Sequence, residues 1–178
     1  MRRTAELGLF LALALILSYV ESLIPFSFGI PGIKLGLPNL IVLLLLYETP
    51  DGGQKKSLHL TKGAREALLV NGLRIVLSGF LFSNLYAILY ALAGAAFSFL
   101  AMLLGRRTKR FSMVGVSILG GVFHNIGQIL VAMAVVETFA VAYYVPFLIV
   151  AGTVTGAVLG LVGMELQSYL RRIRRNGV

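Results

Sequence analysis

Six apolar segments fill most of this chain, at about 5–25, 36–49, 64–82, 84–104, 114–136 and 143–166, and they limit the fold more than any other feature. Most run near twenty residues, the length of a helix that crosses a hydrocarbon core of about 30 Å. None alternates with the period of two that a barrel strand requires. The chain is 58% hydrophobic and only 13% charged, with a mean hydropathy of +0.90. A water-soluble domain of 178 residues has no means of covering that much apolar surface. The sequence therefore predicts an all-α integral membrane protein, a bundle of six transmembrane helices forming a single domain over residues 1–178. The first segment has the basic start and apolar run of a signal peptide. It is long, it lacks an evident small-residue cleavage site, and five more segments follow, so it reads as a retained first helix.

Charge placement gives the expected topology. Sixteen Lys and Arg against seven Asp and Glu leave a net charge of +9. If six helices cross in turn, fourteen of the sixteen cations fall on one side: Arg2, Arg3, Lys55, Lys56, Lys62, Arg65, Arg106, Arg107, Lys109, Arg110, Arg171, Arg172, Arg174 and Arg175. The positive-inside rule makes that side the cytoplasm, with both termini there and the protein in the cell membrane. The basic balance then reports topology and contact with anionic membrane lipid, and no nucleic-acid partner is expected. Lys34, in the first external loop, and Arg74, inside the third segment, remain outside this rule.

The second segment is short. Pro38 suits the first turn of a helix, and Pro50 with the following "DGGQKK" closes it, leaving about a dozen residues, or roughly 18 Å. Residues 26–39 either dip inward from the outer face to line a cavity or form a surface loop above a short, tilted helix.

Polar side chains inside the apolar segments are the candidate site. A mid-membrane arginine costs about 2.5–3.5 kcal/mol on insertion scales, so it faces a bundle interior and has a partner. At 100° per residue Asn71, Arg74 and Ser78 share a face of the third helix. Ala14, Ser18 and Glu21 share one on the first. His124 and Gln128 lie one turn apart on the fifth, with Asn125 beside them, and Asn39 opens the second. Two readings stand for Arg74. It is held in an internal network by Glu21 or by Asn and Gln carbonyls, or it points into an externally accessible cavity. The candidate substrate-binding residues are Glu21, Lys34, Asn39, Asn71, Arg74, Ser78, His124, Asn125 and Gln128. A guanidinium there suits a carboxylate or phosphate oxygen pair. Glycines 152, 156, 160 and 163 on the sixth segment and "ALAGAAFS" on the fourth point to tight helix packing. Ala5, Gly8 and Ala12 form a small-residue face on the first segment, open either to internal packing or to another subunit.

Several chemistries are excluded. There is no cysteine, hence no thiolate or disulfide chemistry, and one intramembrane histidine makes a poor metal ligand set. No Walker, GxSxG or HExxH motif occurs, and no cofactor is expected. Asp51 is the sole aspartate, so the carboxylate clusters that hold magnesium on a diphosphate are missing.

Three stretches, "IPGIKLGLPNLIVLLLLY" (30–47), "NGLRIVLSGFLF" (71–82) and "GGVFHNIGQILVA" (120–132), resemble the heptaprenyl diphosphate synthase component I family, also called the Gx transporter family. That family is similar in layout to the substrate-binding S components of energy-coupling factor transporters. The resemblance implies six helices, a small micronutrient solute bound near the outer face, and docking of the first helix onto a transmembrane coupling subunit driven by ATPases. S components often carry Ala-x-x-x-Ala on that helix, where this chain has Gly8-x-x-x-Ala12. The expected function is a solute-binding, non-enzymatic uptake subunit. The alternatives are an accessory protein of isoprenoid diphosphate or quinone synthesis, with Arg74 and Lys34 as phosphate clamps, and a structural subunit of a membrane redox complex.

Overall fold

The computed structural model describes residues 2–23, 35–48 and 60–175. They form six α-helices: α1 (Arg2–Leu23), α2 (Asn39–Glu48), α3 (Lys62–Phe82), α4 (Leu85–Arg107), α5 (Met113–Val136) and α6 (Val145–Arg175), with a 3-10 turn at Phe139–Tyr144 before α6. No strand occurs among the described residues. Side-chain caps set three of the starts. Thr61, Asn84 and Ser112 accept from the backbone N–H groups of Ala64, Ala87 and Gly115, each satisfying a donor that the first helical turn leaves open.

Neighbouring helices alternate in direction, as their contacts require. Arg3 and Glu21 on α1 meet the end and the beginning of α2 respectively, so these two run antiparallel. Gly152, Gly156 and Gly160 on α6 meet Gly121, Ile118 and Val114 on α5 in reverse order. Every described Lys and Arg except Arg74 lies at one end of the bundle, hereafter the basic end. At the other end Phe80, Tyr86, Phe139 and Tyr143 are exposed, the amphipathic ring of aromatics that suits a membrane–water boundary.

The glycine-rich seams are contact points of backbones. A Cβ on Gly127 would lie 2.6 Å from the Ala93 carbonyl oxygen, and one on Gly156 2.7 Å from the Ile118 Cα. Only glycine lets α5 approach both α4 and α6 this closely. The expected tight packing of the α6 glycines is therefore what the fold contains.

Four helices, α1, α4, α5 and the span containing α6, are long and apolar enough to cross a membrane. Large apolar side chains such as Leu9 and Ile16 on α1, Leu100 on α4 and Val150 and Val158 on α6 stand exposed around the bundle, which fits lipid and not water as the surrounding medium. The third helix is as long as these, but Lys62, Arg65, Glu66 and Arg74 lower its apolar character.

The second helix is different. It has 10 residues, about 15 Å, and everything from Asn39 to Leu46 is buried. It is apolar on all sides because it is surrounded on all sides, by α3, α6, α5, α4 and α1. Its buried ends would leave orphan backbone groups. At the basic end Arg106 of α4 donates to the Leu46 carbonyl and its guanidinium lies 5.0 Å from the Tyr47 ring centroid. Gln167 of α6 donates to the Tyr47 carbonyl at 2.8 Å. The fourth segment, expected to end at about 104, thus runs further: α4 continues through Arg107, and Arg106 is a buried cap and not a loop cation. Nearby, Arg3 binds Glu6, Glu48 and Glu66, tying the basic ends of α1, α2 and α3 together.

Candidate functional site in the buried polar layer

At the other end of α2 the chain makes a tight turn. Gly36 sits at φ +81°, a left-handed conformation that glycine adopts without strain, and its carbonyl accepts from Asn39 N–H at 2.9 Å. Pro38 contributes no N–H, so the open backbone donors of this turn are Gly36 and Leu37. Both are used by one carboxylate. Glu21 of α1, itself buried, accepts from Gly36 N–H and from Leu37 N–H at 3.1 Å. A negative side chain at a helix N-terminus satisfies the donors and matches the dipole.

One helical turn back on α1, Ser18 accepts from the Arg74 Nη1 at 3.5 Å. Arg74 is 4% exposed; its Nη2 donates to Asn71 Oδ1 at 2.6 Å, and Glu21 acts on the guanidinium electrostatically. Its Nε has no hydrogen-bond partner, and neither does Nδ2 of the buried Asn39. Asn39 Nδ2 lies 2.9 Å from where a Gly36 Cβ would be, and His124 Cδ2 3.1 Å from it. His124 and Gln128 in turn flank Gly94 of α4, whose missing Cβ would meet each within 3 Å.

Glu21, Asn39, Asn71, Arg74, His124 and Gln128 thus form one continuous buried layer around the Gly36 turn, drawn from α1, α2, α3 and α5. Ser78 is buried one turn beyond Arg74 and spends its hydroxyl on its own helix, at the Ile75 carbonyl. Asn125 departs from the expected grouping. It donates to the Leu148 carbonyl of α6 at 2.8 Å, because a residue adjacent to His124 in sequence points about 100° away around the helix. Lys34 and residues 26–34 lie outside the described residues. Ser18 and the Gly36 and Leu37 amides were not among the candidates. A glycine two residues before a proline at the head of an apolar run was the available signal.

On α1, Ala5, Gly8 and Ala12 are all exposed, and a Cβ on Gly8 would meet nothing within 4 Å. Among the described residues the small-residue face therefore meets no internal partner. Among the described residues no three or more His, Cys, Asp or Glu side chains are grouped to hold a metal ion.

The family described as heptaprenyl diphosphate synthase component I matches residues 10–166. No curated protein matches the chain, and no solved structure does.

Proposed function

We propose, from the premise that this chain belongs to the heptaprenyl diphosphate synthase component I family, that it is an integral membrane subunit that binds a small anionic solute for uptake. All six helices belong to one membrane-embedded bundle. The basic end, with both termini, faces the cytoplasm. The observation that carries this reading is Arg74: a guanidinium 4% exposed, with an unpaired Nε, in a layer where Asn39 also has an unpaired donor. Buried polar groups are normally satisfied, and orphan donors at membrane depth mark a place for an acceptor that arrives from elsewhere. The open face at Ala5, Gly8 and Ala12 is the surface for a transmembrane coupling subunit with its ATPases, since small residues admit close backbone approach.

The family's name favours a second reading, an accessory subunit that holds an isoprenoid diphosphate. Against direct catalysis, Glu21 is the sole described carboxylate in the polar layer, and the α2 amides already occupy it.

Native mass spectrometry of the purified protein tests the proposal. The wild type is expected to carry a small anion that Arg74→Met and Arg74→Lys both lose, because lysine keeps the charge but not the planar fork. Ligand-free Arg74→Met should cost less than about 3 kcal/mol, because Glu21 keeps two backbone donors although it loses the electrostatic partner that Arg74 supplies. A loss of about 3–5 kcal/mol that Glu21→Gln rescues would make Arg74 a structural partner of Glu21 and end the proposal.

A further inference from the structure

The cations of the basic end fall into two kinds. Arg3 and Arg106 are held inside the bundle, by carboxylates and by the end of α2. Arg107, Lys109 and Arg110 after the core of α4, and Arg171 and Arg172 on α6, are exposed. None of these five side chains bonds to a described residue. Lys62 and Arg65, at the start of α3, are exposed and unbonded as well.

The last turn of α2 brings the five together. Arg106 closes the Leu46 carbonyl and Gln167 closes the next one, at Tyr47, so the end of α4 and the body of α6 stand side by side there. Arg107, Lys109 and Arg110 follow directly after the first contact. Past the second, α6 continues to Arg175, about 12 Å further, and carries Arg171 and Arg172. Gly163 of α6 lies against Met113 at the start of α5, so this extension rises beside the α4–α5 turn. Internal bonds shape that turn. Thr108 donates its hydroxyl to the Gly105 carbonyl at 2.8 Å, and Lys109, at φ +56°, donates its N–H to the Arg106 carbonyl at 3.2 Å. Glu165, the described carboxylate on this part of α6, pairs with none of the five cations.

Depth says what they meet. The sixth helix has 31 residues, about 46 Å, against a hydrocarbon core of about 30 Å, so its basic end stands among headgroups. Phe111 and Tyr169, 47% and 60% exposed, flank the cations, and aromatic rings favour that boundary. A cluster of Lys and Arg directly beyond a membrane helix attracts anionic headgroups. An acidic protein surface would match the charge but would give the two rings no acyl boundary.

We infer that an anionic phospholipid headgroup seats between the α4–α5 turn and the α6 extension, bridging Arg107, Lys109 and Arg110 to Arg171 and Arg172. By tying the ends of α4 and α6 together, it holds in place the two donors that close α2. This requires a chain embedded in a membrane and is independent of any solute.

Titration of the detergent-purified protein with phosphatidylglycerol, read by native mass spectrometry and thermal unfolding, tests the inference. At about ten times its Kd, phosphatidylglycerol should raise Tm by roughly 3–6 °C, and phosphatidylcholine should not. Lys109→Gln with Arg110→Gln, and Arg171→Gln with Arg172→Gln, should each weaken phosphatidylglycerol binding about 10- to 30-fold and remove the Tm rise. Lys62→Gln with Arg65→Gln removes the same charge from another part of the basic end and should weaken binding less than about threefold. Arg171→Lys with Arg172→Lys, which keeps the charge, should bind within about threefold of wild type. If a double variant does not fold, its single members should each weaken binding about three- to fivefold. Equal weakening by all three Gln pairs would reduce the patch to a diffuse field and overturn the site. Glycerol phosphate, the headgroup chemistry without acyl chains, and polyglutamate, an acidic polypeptide, should leave Tm unchanged; stabilisation by either equal to that by phosphatidylglycerol would overturn the lipid assignment.

Discussion

Replacing Arg106 with methionine is the most informative single change to the scaffold that carries the polar layer. The side chain is 8% exposed, donates to the Leu46 carbonyl and lies over the Tyr47 ring, all at the negative end of α2. A charge-assisted hydrogen bond contributes about 1.5–3 kcal/mol. A cation at a partly buried helix C-terminus adds about 0.3–2 kcal/mol, and a desolvated cation–π contact about 0.5–2 kcal/mol. These overlap because one guanidinium makes all three, and its removal also relieves the cost of burying it. A net loss of about 2–3 kcal/mol is expected for Arg106→Met. Arg106→Lys should lose about half as much, keeping the charge near the helix end while losing the planar stack. Gln167→Leu should cost about 1 kcal/mol through its bond to the Tyr47 carbonyl. Because both side chains hold the same last turn of α2, the double variant should lose about 0.5–1 kcal/mol less than the sum. Equilibrium unfolding in detergent, read by tertiary-structure probes, measures all four. Arg106→Met within about 0.5 kcal/mol of wild type, or strict additivity with Gln167→Leu, would refute the claim that α2 depends on these caps.

Three further expectations follow from the packing. Gly127→Ala should cost about 1–3 kcal/mol, since its Cβ would be forced against the Ala93 carbonyl, whereas Gly8→Leu should leave ligand-free stability unchanged because the space around Gly8 is open; thermal unfolding of both variants decides. Glu137 ends α5 at φ +52°, so Glu137→Gly should stabilise by about 0.5–1 kcal/mol in the same assay, glycine carrying no left-handed penalty there. In the cysteine-free background, Tyr143→Cys should react with an impermeant thiol reagent from outside intact cells and Thr108→Cys should not; the reverse pattern would invert the proposed orientation.

Helix identity was legible because apolar length and glycine spacing are local properties of a sequence. The shared faces of Asn71, Arg74 and Ser78, and of Ala14, Ser18 and Glu21, could be read off helical periodicity, and all six side chains are buried. What periodicity does not carry is the partner across the bundle. Arg106 reads as one more cation in a basic loop until α4 extends beneath it and brings it to a carbonyl 60 residues earlier in the chain. Gln167 meets Tyr47 across 120 residues. Arg3, which also reads as a topology charge, binds three carboxylates from three helices. Asn125 turns toward α6 for a simpler reason: on a helix, sequence neighbours diverge, and its amide reaches the Leu148 carbonyl.

The short central helix also bears on how such a chain can be made. At about 15 Å, α2 is too short to be recognised as a bilayer-spanning segment by itself. Its carbonyl end is closed by α4 and α6, which leave the ribosome 60 and 120 residues after it. During synthesis the carbonyl end of α2 therefore has no finished seat until α6 arrives, whereas its amide end can meet Glu21 of α1 from the start. Seating of α2 is completed late, and a chain stopped before Gln167 would leave the Tyr47 carbonyl without the donor that closes it.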